Sequence, residues 1–366
     1  MTYSKKINRK VNWENARFKA YEVFRKHKVR SFPLNIISII KQYPDIKIIS
    51  YSEMAKKRGI SMDEVILANS SPDGSIHYSP KKDSYIITYN DLKIPERVYW
   101  TIAHEFGHYY LEHHKETDRS TLSRITLTED EYDLFEQEAD FFARFLINPP
   151  SLIKEWENIT YQRVMGFFKV SYTAANNSLD YLRRIARNGW TVSVPMDIKE
   201  QMSTFTFRVN KGMSCTKCNS FFVFEETNFC PICGGKNLNH FFIGDDIDMK
   251  YPGISHTNGK MDVCPICENE EILDRANHCN QCGIYILNHC SDTSSSYGRV
   301  DTFNCETALP YNSRYCHVCG QNSTFLNNKL LEEWRTEREN FNKKENDTFQ
   351  NNPSNEVFID SNGRQF

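Results

Sequence analysis

The sequence predicts an α+β protein in which a helix-rich half carrying a small sheet is followed by a tandem series of metal-stabilised ribbons. Three observations carry that expectation. Amphipathic stretches at helical spacing dominate the N-terminal half and are interrupted by only a few short β-branched runs. All 12 cysteines lie at or beyond Cys215, so composition divides the chain. Those cysteines recur as Cys-x-x-Cys pairs, the spacing of thiolate metal knuckles.

Residues 11–27 read as an amphipathic helix with Trp13, Phe18, Tyr21 and Phe24 toward one side. Pro33 opens a second helix running to Ile40, since a proline is tolerated in the first turn. Residues 46–51 form a short strand, and the next helix (SEMAKKRG) closes at Gly59. Residues 75–78 and 85–89 flank Ser-Pro-Lys-Lys-Asp-Ser and read as a β-hairpin. His77 in the first of these strands is expected to be structural or exposed.

Residues 99–111 (YWTIAHEFGHYYL) hold His104-Glu105-Phe106-Gly107-His108, a His-Glu-x-x-His pattern on an apolar helix. Residues four apart share a helix face, so His104 and His108 can bind one cation. Glu105 lies about 100° round the helix and can reach a metal-bound water instead. That set implies a catalytic zinc with Glu105 as general base. A third ligand is required. His114 has the offset of a third histidine seen in one zinc-peptidase pattern, but that pattern needs a glycine where Leu111 stands. The better candidate is on the helix of residues 134–148 (LFEQEADFFARFLIN), which Pro149-Pro150 stops. There Glu136 can bind the metal while Asp140, one turn on, accepts the free ring N–H of a ligand histidine. Glu138 faces elsewhere and is the weaker candidate. The second hairpin strand, ending at Asn90-Asp91, is then expected to be the sheet edge on which an extended substrate pairs. Glu112, His113 and His114 are expected at a solvated helix end, the other reading being a hydrogen bond to a developing oxyanion.

His-Glu-Phe-Gly-His followed by Glu136-Gln-Glu138-Ala-Asp140-Phe-Phe-Ala-Arg-Phe-Leu-Ile-Asn148-Pro149 resembles the ImmA/IrrE family of metallopeptidases. The resemblance covers roughly residues 10–190. It implies a small gluzincin-like fold, zinc on His104, His108 and Glu136, and Glu105 as the base. It also implies a protein substrate, since family members are associated with cleaving or inactivating a helix-turn-helix transcriptional repressor. Asn148 departs from the apolar residue usual before the proline, and that position concerns packing.

Residues 119–130 form a polar connection suited to a lid, ending at a capping box of Thr128 and Glu131. Residues 162–186 then read as helix, turn, helix, with Ser171 as N-cap. Arg183, Arg184 and Arg187 on the second helix are few phosphate contacts, so DNA binding is not favoured.

Cys215, Cys218, Cys230 and Cys233 form one four-thiolate set, and Cys264, Cys267, Cys279 and Cys282 repeat its spacing 49 residues on. Gly234, Gly283 and Gly320 follow second cysteines, where a left-handed conformation is wanted. Cys290, Cys305, Cys316 and Cys319 make a third, looser set, with His289 or His317 as substitute ligands. One catalytic and two to three structural Zn²⁺ are therefore expected. Acidic runs at 225–226, 245–248 and 268–271 favour protein over nucleic acid as the ribbons' partner. Residues 330–347 read as a charged helix, followed by a polar tail expected to be disordered.

A net charge of −2 gives no general case for nucleic-acid binding. No apolar run reaches the length of a membrane span, and the N-terminus lacks a secretory apolar region, so the expected location is cytoplasmic. The expected organisation is a metallopeptidase domain (1–150), a helix-turn-helix-like unit (151–200), a ribbon region (201–325), and a charged helix with tail (326–366). Two rival functions are a non-proteolytic regulator binding DNA or a repressor, and a toxin-like protease.

Overall fold

The structure, a computed structural model, describes residues 9–117, 120, 122, 127–240, 251–257, 260–273, 276–291, 305 and 307–351. The acidic run at 245–248, half of the expected lid and the tail beyond Asn351 lie outside them. The chain divides into two compact units, one ending at Asn210 and the other beginning at Lys211.

Helix α1 (Trp13–Lys26) starts where the Asn12 side chain accepts from the Asn15 amide. Its buried line is Ala16, Ala20 and Phe24, flanked by Tyr21 and Val23. Phe18 falls well off that line at 100° per residue and is 51% exposed, correcting its expected place on the packed side. Trp13 is also partly exposed, its ring edge resting on Phe141. The short α2 (Ile36–Ile40) leads into β1 (Ile46–Ser50). Helix α3 (Tyr51–Arg58) is capped by Ser50 and ended by Gly59 at φ 66°. Helix α4 (Met62–Asn69) opens on a capping box of Ser61 and Glu64, a signal present in the sequence but not read there.

The hairpin of β2 (Gly74–Ser79) and β3 (Ser84–Tyr89) joins β1 in a sheet of order β1-β3-β2. Strand β3 pairs in parallel with β1 (Ile48 opposite Ile87) and antiparallel with β2 (Ile76 opposite Ile87). The second hairpin strand is therefore central, and the first is an edge. This corrects the expected edge assignment. The reason is topological: α3 and α4 form the crossover that brings β1 alongside β3 in parallel and fills its other side.

Helix α5 (Pro95–Tyr110) begins with proline in its first turn, and the brief α6 (His113–Thr117) follows it. Helix α7 (Glu129–Ile147) starts on the expected capping box of Thr128 and Glu131. It packs against both α1 and α5, with Phe142, Phe145 and Leu146 fully buried. Each such side chain contributes about 1.5–3 kcal/mol of burial free energy. Pro149 ends α7 and Pro150 opens α8 (Pro150–Ile153). Helices α9 (Tyr161–Phe168) and α10 (Tyr172–Arg187) meet at a turn where Lys169 has φ 54° and Ser171 caps. Buried Asn148 donates to the Ala174 carbonyl (3.0 Å) and Ser178 Oγ (2.9 Å), so its polar side chain staples α7 to α10. Helices α11 (Met196–Gln201) and α12 (Ser203–Lys211) complete the unit, with Phe205 against Phe32, Trp156 and Phe168. The helices of 151–200 thus share one unit with the peptidase segment, and α12 occupies the stretch where ribbons were expected to begin.

In the second unit, β4 (Gly212–Cys215) lies between β5 (Phe221–Val223) and β6 (Leu238–His240), all antiparallel. Strands β7 (His256–Thr257) and β8 (Lys260–Met261) form a second small ladder. One core gathers Cys215, Cys218, Phe222, Cys230, Ile232 and Tyr251, with Trp334 of α14 (Trp334–Asn351) against it. Another gathers Met261, Cys264, Cys279 and Ile286 with Phe325 of α13 (Thr324–Asn327).

The first and third cysteine modules grip each other reciprocally. The amides of Arg314 and Tyr315 donate to the Pro231 carbonyl, and those of Asn228 and Phe229 donate to the His317 carbonyl. Gly234 (φ 65°) faces the Tyr315 ring and Gly320 (φ 79°) the Phe229 ring. His317 stacks on Phe224 at 4.0 Å. Among the described residues, no helix is long and apolar enough to cross a membrane.

Candidate active site and metal centres

Helix α5 places His104 and His108 one turn apart, and α7 brings Glu136 against them. His104 Nε2 lies 3.1 Å from His108 Nε2 and 3.3 Å from Glu136 Oε2, and His108 Nε2 lies 3.5 Å from Glu136 Oε1. Ligands about 2.0–2.1 Å from a tetrahedral ion stand about 3.3 Å apart, so these three groups could hold one metal. His104 Nδ1 lies 2.9 Å from Asp140 Oδ1, where that carboxylate accepts its ring N–H. Burial alone would raise the Glu136 carboxyl, but the His104 and His108 imidazoles against it hold it well below the usual carboxylate range.

Gly107 makes this approach of the two helices feasible. A Cβ there would stand 3.2 Å from the Ala139 backbone and 3.1 Å from Phe142 Cδ1. Ala139 sits between Glu136 and Asp140, so any retreat of α7 moves both. Gly107→Ala is expected to weaken metal binding at this site about tenfold, with about 1–3 kcal/mol of overpacking cost. Chelator competition and thermal melts measure the two effects separately.

Glu105 stands outside the ligand trio but in the same cleft. Desolvation pushes its carboxyl up, against the pull of His104 and His108, and the Ile76 amide donates to it. The cleft has a volume of about 1120 Å³, more than the ~300–1,000 Å³ usual for small-molecule pockets. One wall is the edge strand β2, and Trp100, Tyr132 and Asn177 contribute to the others. Tyr78 donates its amide outward to Ser120, while Tyr85 opposite donates to the Asp45 carbonyl just ahead of β1. By alternation, the polar backbone groups of Ile76 also face away from β3, toward the cleft. His77, expected to be structural or exposed, is partly buried in a network with Asn69 and Ser75 and also borders the cleft. The N-terminal end of α10, which a DNA-binding reading would send into a groove, lines this cleft through Ser171, Thr173 and Asn177. Arg183 is paired with Asp180.

The expected solvated helix end is corrected for two residues. His113 and His114 are both fully buried, because Glu112 takes φ 58° and folds α6 back beneath α5. Leu111, by contrast, keeps φ −88°, and His114 packs between Tyr78 and Tyr85, outside the metal cluster. Burial brings the His113 ring down to about 4, so it is neutral. Glu138 does face away from the cluster, yet it is buried beside His113 and Arg9 rather than solvated. Sequence reasoning missed this group, whose only signal was a second acidic residue within the motif.

The twelve cysteines gather into three quartets with the predicted membership, each able to hold a metal. Their sulfurs are 3.5 and 3.6 Å apart in the first, 3.6 Å in the second, and 3.4 and 3.7 Å in the third. Thiolates about 2.3 Å from a tetrahedral ion stand about 3.7 Å apart, far beyond the ~2.05 Å of a disulfide. His289 and His317 lie outside the third quartet. Three tight cysteine clusters at the C-terminal end are consistent with tandem zinc ribbons.

A helix bearing two histidines, packed on a helix bearing a glutamate beneath an edge strand, is the layout of a metallopeptidase-type domain. Residues 61–180, about a third of the chain, match the family model of the IrrE N-terminal-like domain, Peptidase_M78. Over that stretch the chain is similar to the protease domain of the ImmA/IrrE family. Comparison with curated proteins gives no significant match.

Proposed function

We infer that this chain is a zinc-dependent endopeptidase acting on a protein substrate. The observation that carries the reading is the convergence of His104, His108 and Glu136 at tetrahedral spacing, with Glu105 beside them in one cleft. Zinc, when bound there, supplies Lewis acidity toward water and toward a peptide carbonyl. Glu105 takes the proton of the attacking water and returns it to the leaving nitrogen. Asp140 fixes the His104 ring so that its Nε2 lone pair faces the ion. An extended substrate runs along the β2 side of the cleft, beside Glu105 and the three convergent groups.

The three cysteine quartets are structural zinc sites, closed by four thiolates, and such free thiols suit a reducing, cytoplasmic location. The ribbons dock a protein partner. By resemblance to the ImmA/IrrE family, the substrate is a helix-turn-helix transcriptional repressor, which makes the chain a regulator of transcription.

The test compares new protein N-termini in the native host between wild type and Glu105→Gln. Termini confined to wild type support the endopeptidase and identify its substrate. One target supports a dedicated regulator; many targets support a toxin-like protease. No difference, with both forms zinc-loaded, refutes the reading.

A further inference from the structure

The two histidines of the α5 cluster are supported very differently. Behind His104 stands Asp140 alone, half exposed to solvent. Behind His108 stands a buried chain of groups. His108 Nδ1 is 2.9 Å from His113 Nδ1, and His113 Nε2 is 3.1 Å from Glu138 Oε2. Arg9 then donates to both Glu138 oxygens, from Nη1 at 2.5 Å and Nη2 at 2.9 Å. The Asn12 amide donates to Glu138 as well, at 2.5 Å. Arg9 also holds Glu116 through Nε and Nη2, at 2.7 and 2.8 Å. His108, His113 and Glu138 are at most 3% exposed.

The directions of these bonds follow from the end that faces the cluster. His108 Nε2 points at His104 Nε2 and Glu136, so its ring proton belongs on Nδ1. That proton is donated to His113 Nδ1, which leaves the His113 proton on Nε2, donated to Glu138. The carboxylate completes its set with Arg9 and the Asn12 amide. Each ring is fixed in one tautomer and one orientation, and the buried carboxylate of Glu138 is matched by Arg9.

We propose that His113, Glu138 and Arg9 form a relay that positions His108 and sets the metal affinity of this site. Arg9 lies outside the 61–180 stretch that matches the family model, so the N-terminal segment becomes part of the metal site's support. The relay rests on the endopeptidase reading of the cluster. Its members are positioning residues, acting through His108.

The test is zinc retention by the full chain against graded concentrations of a competing chelator. The equivalent belonging to this cluster is identified by its loss in His104→Ala. Glu138→Gln and His113→Leu are expected to lower its affinity about 10–100-fold, and Arg9→Met by about tenfold. Asp140→Asn should cost less than Glu138→Gln. His113→Asn separates support from packing, because its side-chain oxygen can still accept from His108 Nδ1. The relay requires Asn to hold zinc more tightly than Leu at this position. A packing role requires the reverse, since Leu suits an enclosed site better. Wild-type affinity in folded Glu138→Gln and His113→Leu, checked by thermal melting, overturns the relay. If wild type itself shows no equivalent sensitive to His104→Ala, the metal-site reading fails and the relay with it.

Discussion

Replacing Glu105 by Gln is expected to lower peptide-bond hydrolysis about 10²–10⁴-fold while the zinc content of the protein stays unchanged. Glu105 is not among the three groups that converge, so its loss removes no ligand. The amide side chain keeps the size and the cleft position of the carboxylate but cannot take a proton from water. The Ile76 amide, which donates to Glu105, can still donate to the Gln carbonyl, so the β2 wall should hold its place. Hydrolysis of an unstructured protein substrate, followed alongside metal analysis of the purified variant, reads both halves of the expectation. Undiminished cleavage at full zinc occupancy would remove Glu105 from the role of base. Loss of zinc together with activity would make it a ligand instead.

The second large effect concerns the C-terminal unit. Stripping its metal, or replacing Cys230 by Ser, is expected to unfold the region around the first quartet. Its core consists largely of the cysteines themselves, together with Phe222, Ile232 and Tyr251, and its strands have only three or four residues. Such short strands bury too little apolar surface to fold unaided. Structural zinc contributes on the order of 10–16 kcal/mol in comparable modules, enough to decide between folded and unfolded. Limited proteolysis should then cut beyond residue 211 and spare the first unit, whose aromatic core on α7 needs no metal. Melting of the two units in one unchanged transition after metal removal would refute this. Restoring Zn²⁺ to the stripped wild type should restore protection, and the Cys230→Ser form should recover less.

The local signals in the sequence were legible because local chemistry alone explains them. The Thr128–Glu131 box, the Ser171 cap and the glycines after Cys233, Cys282 and Cys319 answer needs within a few residues. The convergence of His104, His108 and Glu136 was legible as well, since i, i+4 spacing on one helix and a carboxylate on another apolar helix leave few arrangements. What escaped were consequences of tertiary placement. The order of the three strands depends on where the α3–α4 crossover deposits β1, which no hairpin pattern encodes. The burial of His113 and His114 turns on a single residue, Glu112, adopting a left-handed conformation that glutamate seldom takes. Glu138 read only as a carboxylate facing away from the metal because its partner Arg9 is 129 residues away. The third quartet was half legible: Cys316 and Cys319 carry knuckle spacing, whereas Cys290 and Cys305 meet them only through the fold.

The reciprocal grip between the first and third cysteine modules bears on the order in which the protein is made. On the ribosome, Cys215 to Cys233 emerge first, yet the carbonyl of Pro231 and the rings of Phe224 and Phe229 find their partners only once residues 314–320 have been synthesised. The first module therefore spends the intervening part of translation with one side uncovered, while the second module is threaded out between the two halves of its platform. Completion of the C-terminal unit is a late, long-range event rather than a bead-by-bead one. A chain released early, before residue 320, would carry an intact first unit and an unfinished C-terminal unit.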